Sequence, residues 1–427
     1  MLTDQSVKCW GSNNLGQIDP ESPGYAHIPV TVKGITNAST TITTGTAHTC
    51  SLLTDGTIKC WGLNNYGQLG NNTTHDSFVP VAVRGISTAT ALVTAGMRNC
   101  ALLANQTVTC WGGGADWDWT LPIIDDTTTL ALTPTVVNGI TNATALVISY
   151  WHACALLADQ TVTCWGLNNH GQLGNGTKTN LVHPPVAVNS ITNAIALAIN
   201  GAQTCALLAD QTIKCWGINW GGQNGNGTTT DSPAPVLVSN INNAAAIVLG
   251  GDHTCALLTD KTIKCWGINY TGQLGDGTTT SSAIPVTVSG ITNAVAISPS
   301  CALLENGTIK CWGSYFDTTP TLTPTVVDGI HTAIALSGSG NKGCAILADN
   351  TVKCWGFYPT GVTPTAVPSL THTAALVMGE DFPYISIACA VLVDQTIKCW
   401  GQNDRGQLGS GEIGRSYFAT PVQIMGL

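Results

Sequence analysis

Short runs that alternate apolar and polar residues recur along the whole chain, and none keeps the three-to-four spacing of an amphipathic helix. TALVTAG at 90–96 is followed by CALL at 100–103 and then by a TIKCWG-type segment, while PVAVRGI at 80–86 closes the unit before. Val and Ile alternate within these runs, and Gly, Pro and Asn stand between them, which is strand-and-turn chemistry. The pattern predicts four short strands per unit and no helix.

The Cys-Trp-Gly triplet that ends the third strand returns nine times, with Trp at 10, 61, 111, 165, 216, 266, 312, 355 and 400, at intervals of 43 to 54 residues. Four strands in a unit of this length are the signature of a propeller blade. So small a sheet has two apolar faces and cannot hide them alone, whereas radial packing of neighbours buries both. The expected fold is an all-β propeller of four-stranded blades, one repeat domain over residues 1–427.

GDHTCALLTDKTIKCWGINYTGQLGDGTTTSSAIPVTVSGI at 251–291 closely resembles the repeat of the regulator of chromosome condensation family. GQLG stands at 67–70, 171–174, 272–275 and 406–409, with GQNG at 222–225 and a degraded GQID at 16–19. The units after Trp111, Trp312 and Trp355 depart from this pattern. The resemblance spans the chain and implies the propeller fold, but says little about activity, because the family includes exchange factors, inhibitors, and binding or structural modules. Its propellers usually have seven blades. Here nine KCWG-type and nine PVxVxGI-type strands, with eight of each other kind, make 34 strands. The expectation is an incomplete first blade over 1–35 followed by eight repeats over 36–427. The opening MLTDQSVKCWG reads as the second half of the repeated block and has neither the basic nor the apolar region of a signal peptide, so a preceding segment is expected.

Eight cysteine pairs share one spacing: Cys50 with Cys60, Cys100 with Cys110, Cys154 with Cys164, Cys205 with Cys215, Cys255 with Cys265, Cys301 with Cys311, Cys344 with Cys354, and Cys389 with Cys399. The residue midway between them is Asp55, Asn105, Asp159, Asp210, Asp260, Asn306, Asp349 or Asp394, a turn former every time. A hairpin symmetric about that residue sets the two cysteines opposite each other, with Cα atoms about 4.5 to 5.5 Å apart, within reach of a disulfide. The rival reading is a structural zinc, which needs four ligands. Its only recurrent candidate is the His two residues before the first cysteine, present at 48, 152 and 253 but replaced by Arg98, Gln203, Pro299, Lys342 and Ile387. Disulfides are therefore expected and no metal, with free buried thiols the remaining alternative. Cys9 is the seventeenth cysteine, and its partner would fall before Met1.

Paired cysteines in every unit point to an oxidising compartment. Only 9% of the residues are charged and the formal net charge is −9, which argues against a nucleic-acid partner. No apolar run reaches the length of a membrane-spanning helix.

Little in the chain suggests chemistry. The GQLGNG loops lack the following helix of a phosphate cradle and read as turns, and the repeated Trp reads as packing between blades. The glutamates are four, Glu21, Glu305, Glu380 and Glu412, and neither a Gly-x-Ser-x-Gly elbow nor a His-Glu-x-x-His motif occurs. No catalytic residue and no cofactor is expected. Asn72, Asn142, Asn175 and Asn226 head sequons and are candidate glycosylation sites. Between WG and GQ, two adjacent loop positions carry Leu15, Tyr66, His170, Trp220, Tyr270 and Arg405, and the insert GGGADWDWTLPIIDD at 112–126 adds Trp117 and Trp119. Tyr66, Trp117, Trp119, His170, Trp220, Tyr270 and Arg405 form the candidate partner surface, weighed against plain loop variation.

The leading expectation is a non-enzymatic extracellular or cell-surface scaffold that assembles with copies of itself or serves as a structural subunit, strands from its own upstream segment or from a neighbour completing the edge at residues 5–11 and 29–35. The alternative is a secreted recognition module like the β-lactamase-inhibitory members of the family. A third reading, an exchange factor for a small GTPase, fits the paired cysteines badly. Intact-mass spectrometry without reductant checks the common premise: eight bridges remove sixteen hydrogens from the reduced mass, and an unchanged mass rejects them.

Overall fold

The computed structural model describes residues 48–113, 131–313, 321–339 and 342–355, together with the strand segments 8–13, 24–31, 38–44, 365–366, 373–381, 385–392, 397–402 and 417–423. In each four-stranded sheet, four consecutive strands pair as an antiparallel meander. These sheets span 38–82, 89–136, 143–187, 194–237, 244–287, 294–326, 333–366 and 373–423, and a two-stranded sheet pairs Lys8–Asn13 with Gly24–Thr31.

The 194–237 sheet shows how the sequence makes one unit. Its second strand, Gln203–Leu208, turns through Asp210 into the third, Ile213–Gly217. Asp210 Oδ1 accepts from the backbone N of Thr212 at 3.0 Å and from its hydroxyl at 2.7 Å, an Asx turn that leaves Gln211 in the left-handed region at φ 65°. This symmetric turn sets Cys205 opposite Cys215. The same Asp/Asn-to-Thr bonds hold the hairpins at Asp55, Asn105, Asp159, Asp260, Asn306 and Asp349.

Seven of the expected pairs are disulfides: Cys50–Cys60, Cys100–Cys110, Cys154–Cys164, Cys205–Cys215, Cys255–Cys265, Cys301–Cys311 and Cys344–Cys354. Their Cα atoms are 4.0 to 4.1 Å apart, closer than the expected 4.5 to 5.5 Å. The short separation matches the tighter, non-hydrogen-bonded kind of antiparallel pair. Of the eighth pair, Cys389 stands opposite Cys399 in its ladder, and the side chains lie outside the described residues. Cys9 stands opposite Val30. Bridges in unit after unit suit an oxidising compartment. No helix among the described residues is long and apolar enough to cross a membrane.

The core lies between sheets. Cys205, Leu207, Ile213 and Cys215 of one sheet pack against Ala256, Leu258 and Trp266 of the next. Cys154, Leu156 and Cys164 meet Ala206, Leu208 and Trp216 in the same way one unit earlier. Each disulfide thus forms the floor beneath the following tryptophan. First strands of successive sheets stand side by side: Thr43, Thr94, Leu146, Leu197 and Leu249 come from five of them and line one cavity of about 500 Å³. The chain is an all-β propeller of four-stranded sheets.

Deleting one bridge tests its worth. For a loop of about ten residues the chain-entropy estimate is roughly 2 to 3 kcal/mol. Cys205→Ala/Cys215→Ala is expected to lower the urea unfolding free energy by about that amount while keeping the native circular dichroism.

Candidate functional site

Strands that alternate in direction give every sheet two ends. One carries the Asp/Asn hairpins. The other, the loop end, carries the long loops between third and fourth strands and the short turns between first and second strands.

Four of the long loops, those after Trp61, Trp165, Trp216 and Trp266, are each organised by one asparagine. Asn219 is fully buried; its Oδ1 accepts from Asn224 N at 2.8 Å, and its Nδ2 donates to the carbonyls of Thr228 and Thr230, both at 3.0 Å. Asn64, Asn168 and Asn269 are equally buried and play the same part. The GQ motif then clamps the next sheet. Gln223 O accepts from Trp266 Nε1 at 2.8 Å, and Gln68 O, Gln172 O and Gln273 O accept from Trp111, Trp216 and Trp312 at 2.9 to 3.1 Å. Gly225 lies flat on Trp266 at φ +67°, where a Cβ would sit 2.7 Å from the indole nitrogen. Glycine here admits a tryptophan, and the loop is a turn as expected. Trp61, Trp165 and Trp355 have no indole acceptor among the described residues, and the units before them are those in which the GQLG motif is degraded or missing.

The position weighed as a zinc ligand is a second latch. His48 Nε2 meets Asn99 Oδ1 at 3.0 Å, His152 Nε2 meets Thr204 Oγ1 at 2.7 Å, and His253 Nε2 meets the carbonyl of Pro299 at 2.8 Å. Arg98 Nη1 donates to Tyr150 O at 2.7 Å and Gln203 Nε2 to Thr254 Oγ1 at 3.2 Å. All five reach into the next sheet. The Thr204 hydroxyl already donates to Gln172 O, so it accepts from the imidazole. Each of these three histidines therefore donates through Nε2, as a neutral ring can. Burial pushes His48 down to about 4 and His152 to about 3, and lowers His253 as well. Among the described residues no group of His, Cys, Asp and Glu is placed to hold a metal.

The candidate surface divides. Of the side chains five residues after the triplet Trp, Tyr66 is half-buried, and His170 reaches the next sheet, its Nδ1 2.9 Å from Asp231 Oδ2, which Lys178 Nζ also approaches at 3.6 Å. Side chains four residues after it stand in solvent, Trp220 at 53% and Tyr270 at 68% exposed. Trp117, Trp119 and Arg405 lie outside the described residues. Asn72 is exposed, whereas Asn142 is half-buried, as are Asn175 and Asn226, which use their Oδ1 to hold Thr177 and Thr228. The loop end also holds Tyr150, 53% exposed, and half-buried Trp151, in the turn before His152. Their rings extend over Gly96 of the preceding sheet and towards Gly201 of the following one. Attention to the His position passed over them. The signal that could have found them was that SYWH is the one such turn with two adjacent aromatics.

The buried latches set a pH dependence. At pH 7 each imidazole is neutral folded or unfolded; below its ordinary 6.5 the unfolded chain binds protons that the folded chain refuses, so stability falls as pH falls. At about 1.4 kcal/mol per pH unit crossed, His48 alone costs on the order of 3 kcal/mol by the time its folded value of about 4 is reached. Turn carboxylates such as Asp159 are held low by the Thr161 hydroxyl, so their contribution is lost only at lower pH, beneath the ordinary 3.8. His48→Gln/His152→Gln, which copies the native latch of Gln203, is expected to flatten the decline in melting temperature between pH 6.5 and 4, and an unchanged slope contradicts the latch.

Comparison with known proteins agrees with this geometry. The regulator of chromosome condensation (RCC1) repeat matches residues 40–68, 55–103, 143–172, 161–208 and 244–273. The probable E3 ubiquitin-protein ligase HERC3 of Homo sapiens is 36% identical over 51% of this chain and 21% of its own length. The ultraviolet-B receptor UVR8 of Arabidopsis thaliana is 25% identical over 53% of this chain and 52% of its own. The chain thus spans between a fifth and about half of these relatives. Among solved structures, yeast RCC1 (Prp20) bound to Kap60 aligns with TM-score 0.54 at 16% identity, covering 99% of this chain and 84% of that one. Prp20p of Saccharomyces cerevisiae, solved with a study of its binding to Gsp1p and histones, aligns with TM-score 0.53 at 17% identity, covering 99% and 87%. At such identities the likeness is one of fold. With its repeats, its clamped tryptophans and its four-stranded sheets, the chain carries RCC1 repeats and folds as an RCC1-like all-β propeller.

Proposed function

We propose that the protein is a non-enzymatic, extracellular or cell-surface recognition module that binds a protein partner at the loop end of its propeller. The sheets between 38 and 423 are read as eight blades, with the strands at 8–31 as a further half blade. Seven intra-sheet bridges favour export, and they weigh against a small-GTPase exchange factor working in the reducing cytosol.

The observation that carries the reading is the exposure of Trp220 and Tyr270 at the same loop position of consecutive sheets. Both stand on loops locked by a buried asparagine, so little conformational entropy is lost when a partner covers them. Large aromatics on a rigid support are the residues on which protein interfaces concentrate binding energy. The histidines that chemistry would use are buried in latches. Yeast RCC1 binds Kap60, a precedent for protein binding by this fold and not evidence for that partner here.

Trp220→Ala/Tyr270→Ala tests the reading. Chemical cross-linking to the proteins secreted by the source cells is expected to trap one partner with the wild type and none with the variant. Unfolding free energy should stay within about 0.5 kcal/mol, as for exposed positions. Equal capture by both proteins rejects the loop end as the binding surface.

A further inference from the structure

A second surface lies at the opposite, hairpin end, and it does not depend on the loop-end reading. The first strands of the six sheets between 89 and 366 each begin with a buried alanine followed by a β-bulge, so the next side chain leaves the ladder and points to solvent. In the 89–136 and 143–187 sheets that residue is threonine, Thr90 and Thr144, whose hydroxyls bond back to Leu102 O and Leu156 O. In the next four sheets it is aliphatic: Ile195, Ala245, Val295 and Ile334, with Ile195 52%, Val295 49% and Ile334 59% exposed. The repeat tolerates threonine there, so the fold does not require these apolar side chains. Four neighbouring units share them, and they form an arc.

Acidic hairpin tips alternate with the arc. Ala244 N donates to Gln211 O and Ala294 N to Lys261 O, so each bulge abuts the tip of the preceding sheet. Ala245 therefore stands beside Asp210, and Val295 beside Asp260. Lysines of the third strands lie at the same end. Lys214 Nζ donates to Ser190 O at 2.8 Å, Lys264 to Asn240 O at 3.1 Å and Lys310 to Gly290 O at 2.9 Å, and Lys353 likewise reaches Gly329 O. Lys261 pairs with Glu305. The remaining charges are mixed and nearly balanced, Asp159 at the tip beside the Ile195 bulge, Asp210, Asp260, Asp328 and Asp349 against those four lysines. Hydrogen bonds from Thr212, Thr262 and Thr351 hold three of these carboxyls low and therefore ionised.

We infer that this arc is a homodimer interface, with a second copy of the chain as its occupant. A contact across a two-fold axis brings one patch against itself, so the patch must complement its own charges. A surface of a single sign would repel its copy. Interleaved acids and lysines in nearly equal number around exposed aliphatic side chains meet that requirement, and a strongly basic or acidic partner would gain little from them. Apolar side chains repeated at one register are covered when the copies meet.

Sedimentation velocity on the oxidised full chain tests this up to about 100 μM, where even a contact with a dissociation constant of roughly 10 μM is well populated. The wild type is expected to sediment as a dimer. Ile195→Lys/Ile334→Lys should raise the dissociation constant at least tenfold, with native circular dichroism and melting temperature showing that it folds. Thr90→Lys/Thr144→Lys, the same change at the same bulge on other sheets, should leave the dimer intact. A monomeric wild type overturns the inference, as does a dimer unaffected by Ile195→Lys/Ile334→Lys or equally broken by the threonine pair. Loss of the dimer in Trp220→Ala/Tyr270→Ala would place self-association at the loop end and overturn it too.

Discussion

The seam between one sheet and the next governs this protein. A four-stranded sheet of five- or six-residue strands has no interior; its two apolar faces become a core only when neighbours cover them. Here a tryptophan from the following sheet lies on the disulfide and the Ile or Val of the preceding one, and where the preceding loop keeps its GQ motif a carbonyl takes the indole proton. A buried indole N–H left unpaired is costly, so clamp and core are one device. Gly225 and its equivalents give up their side chains because a tryptophan occupies that space.

Disulfides and latches act on the seam at different levels. The bridge joins two strands of one sheet, which limits the unfolded chain and stiffens the surface on which the tryptophan rests. The latch two residues before the first cysteine crosses to the next sheet. Where it is made, His, Arg or Gln serves, since a buried donor long enough to reach is enough, and Pro299 stands at the same position in the 294–326 sheet with no side-chain donor. A metal ligand would not have been so freely exchanged. The same side chains explain why the propeller should loosen in mild acid.

With the seams handling stability, the two ends are free to vary. The loop end varies by isolated substitutions of large aromatics, on loops whose shape is set by a buried asparagine. The hairpin end varies by a change from threonine to aliphatic residues across four adjacent units, with its turns unchanged. Surfaces that differ between units while the scaffold repeats are where a propeller can distinguish partners.

Much of this was legible in the chain itself. The period-two runs, the Trp spacing and the midpoint Asp or Asn in each Cys pair depend on local rules of pleat and turn, which a sequence displays directly, and Cys205 does face Cys215. What could not be read was whatever depends on a neighbouring sheet about fifty residues away. His48, His152 and His253 looked like possible ligands because their acceptors belong to the next unit. Tyr66 and His170 looked equivalent to Trp220 and Tyr270, yet a shift of one residue along the loop half-buries the first two, His170 against the next sheet, and turns the second two into water. The bulge that exposes Ile195 and Ile334 leaves no mark in the alternation of apolar residues. Sequence by itself determined the strands, the hairpins and the bridges, because those contacts close within ten residues; only the packing of sheet on sheet decided which side chains remained to meet another molecule.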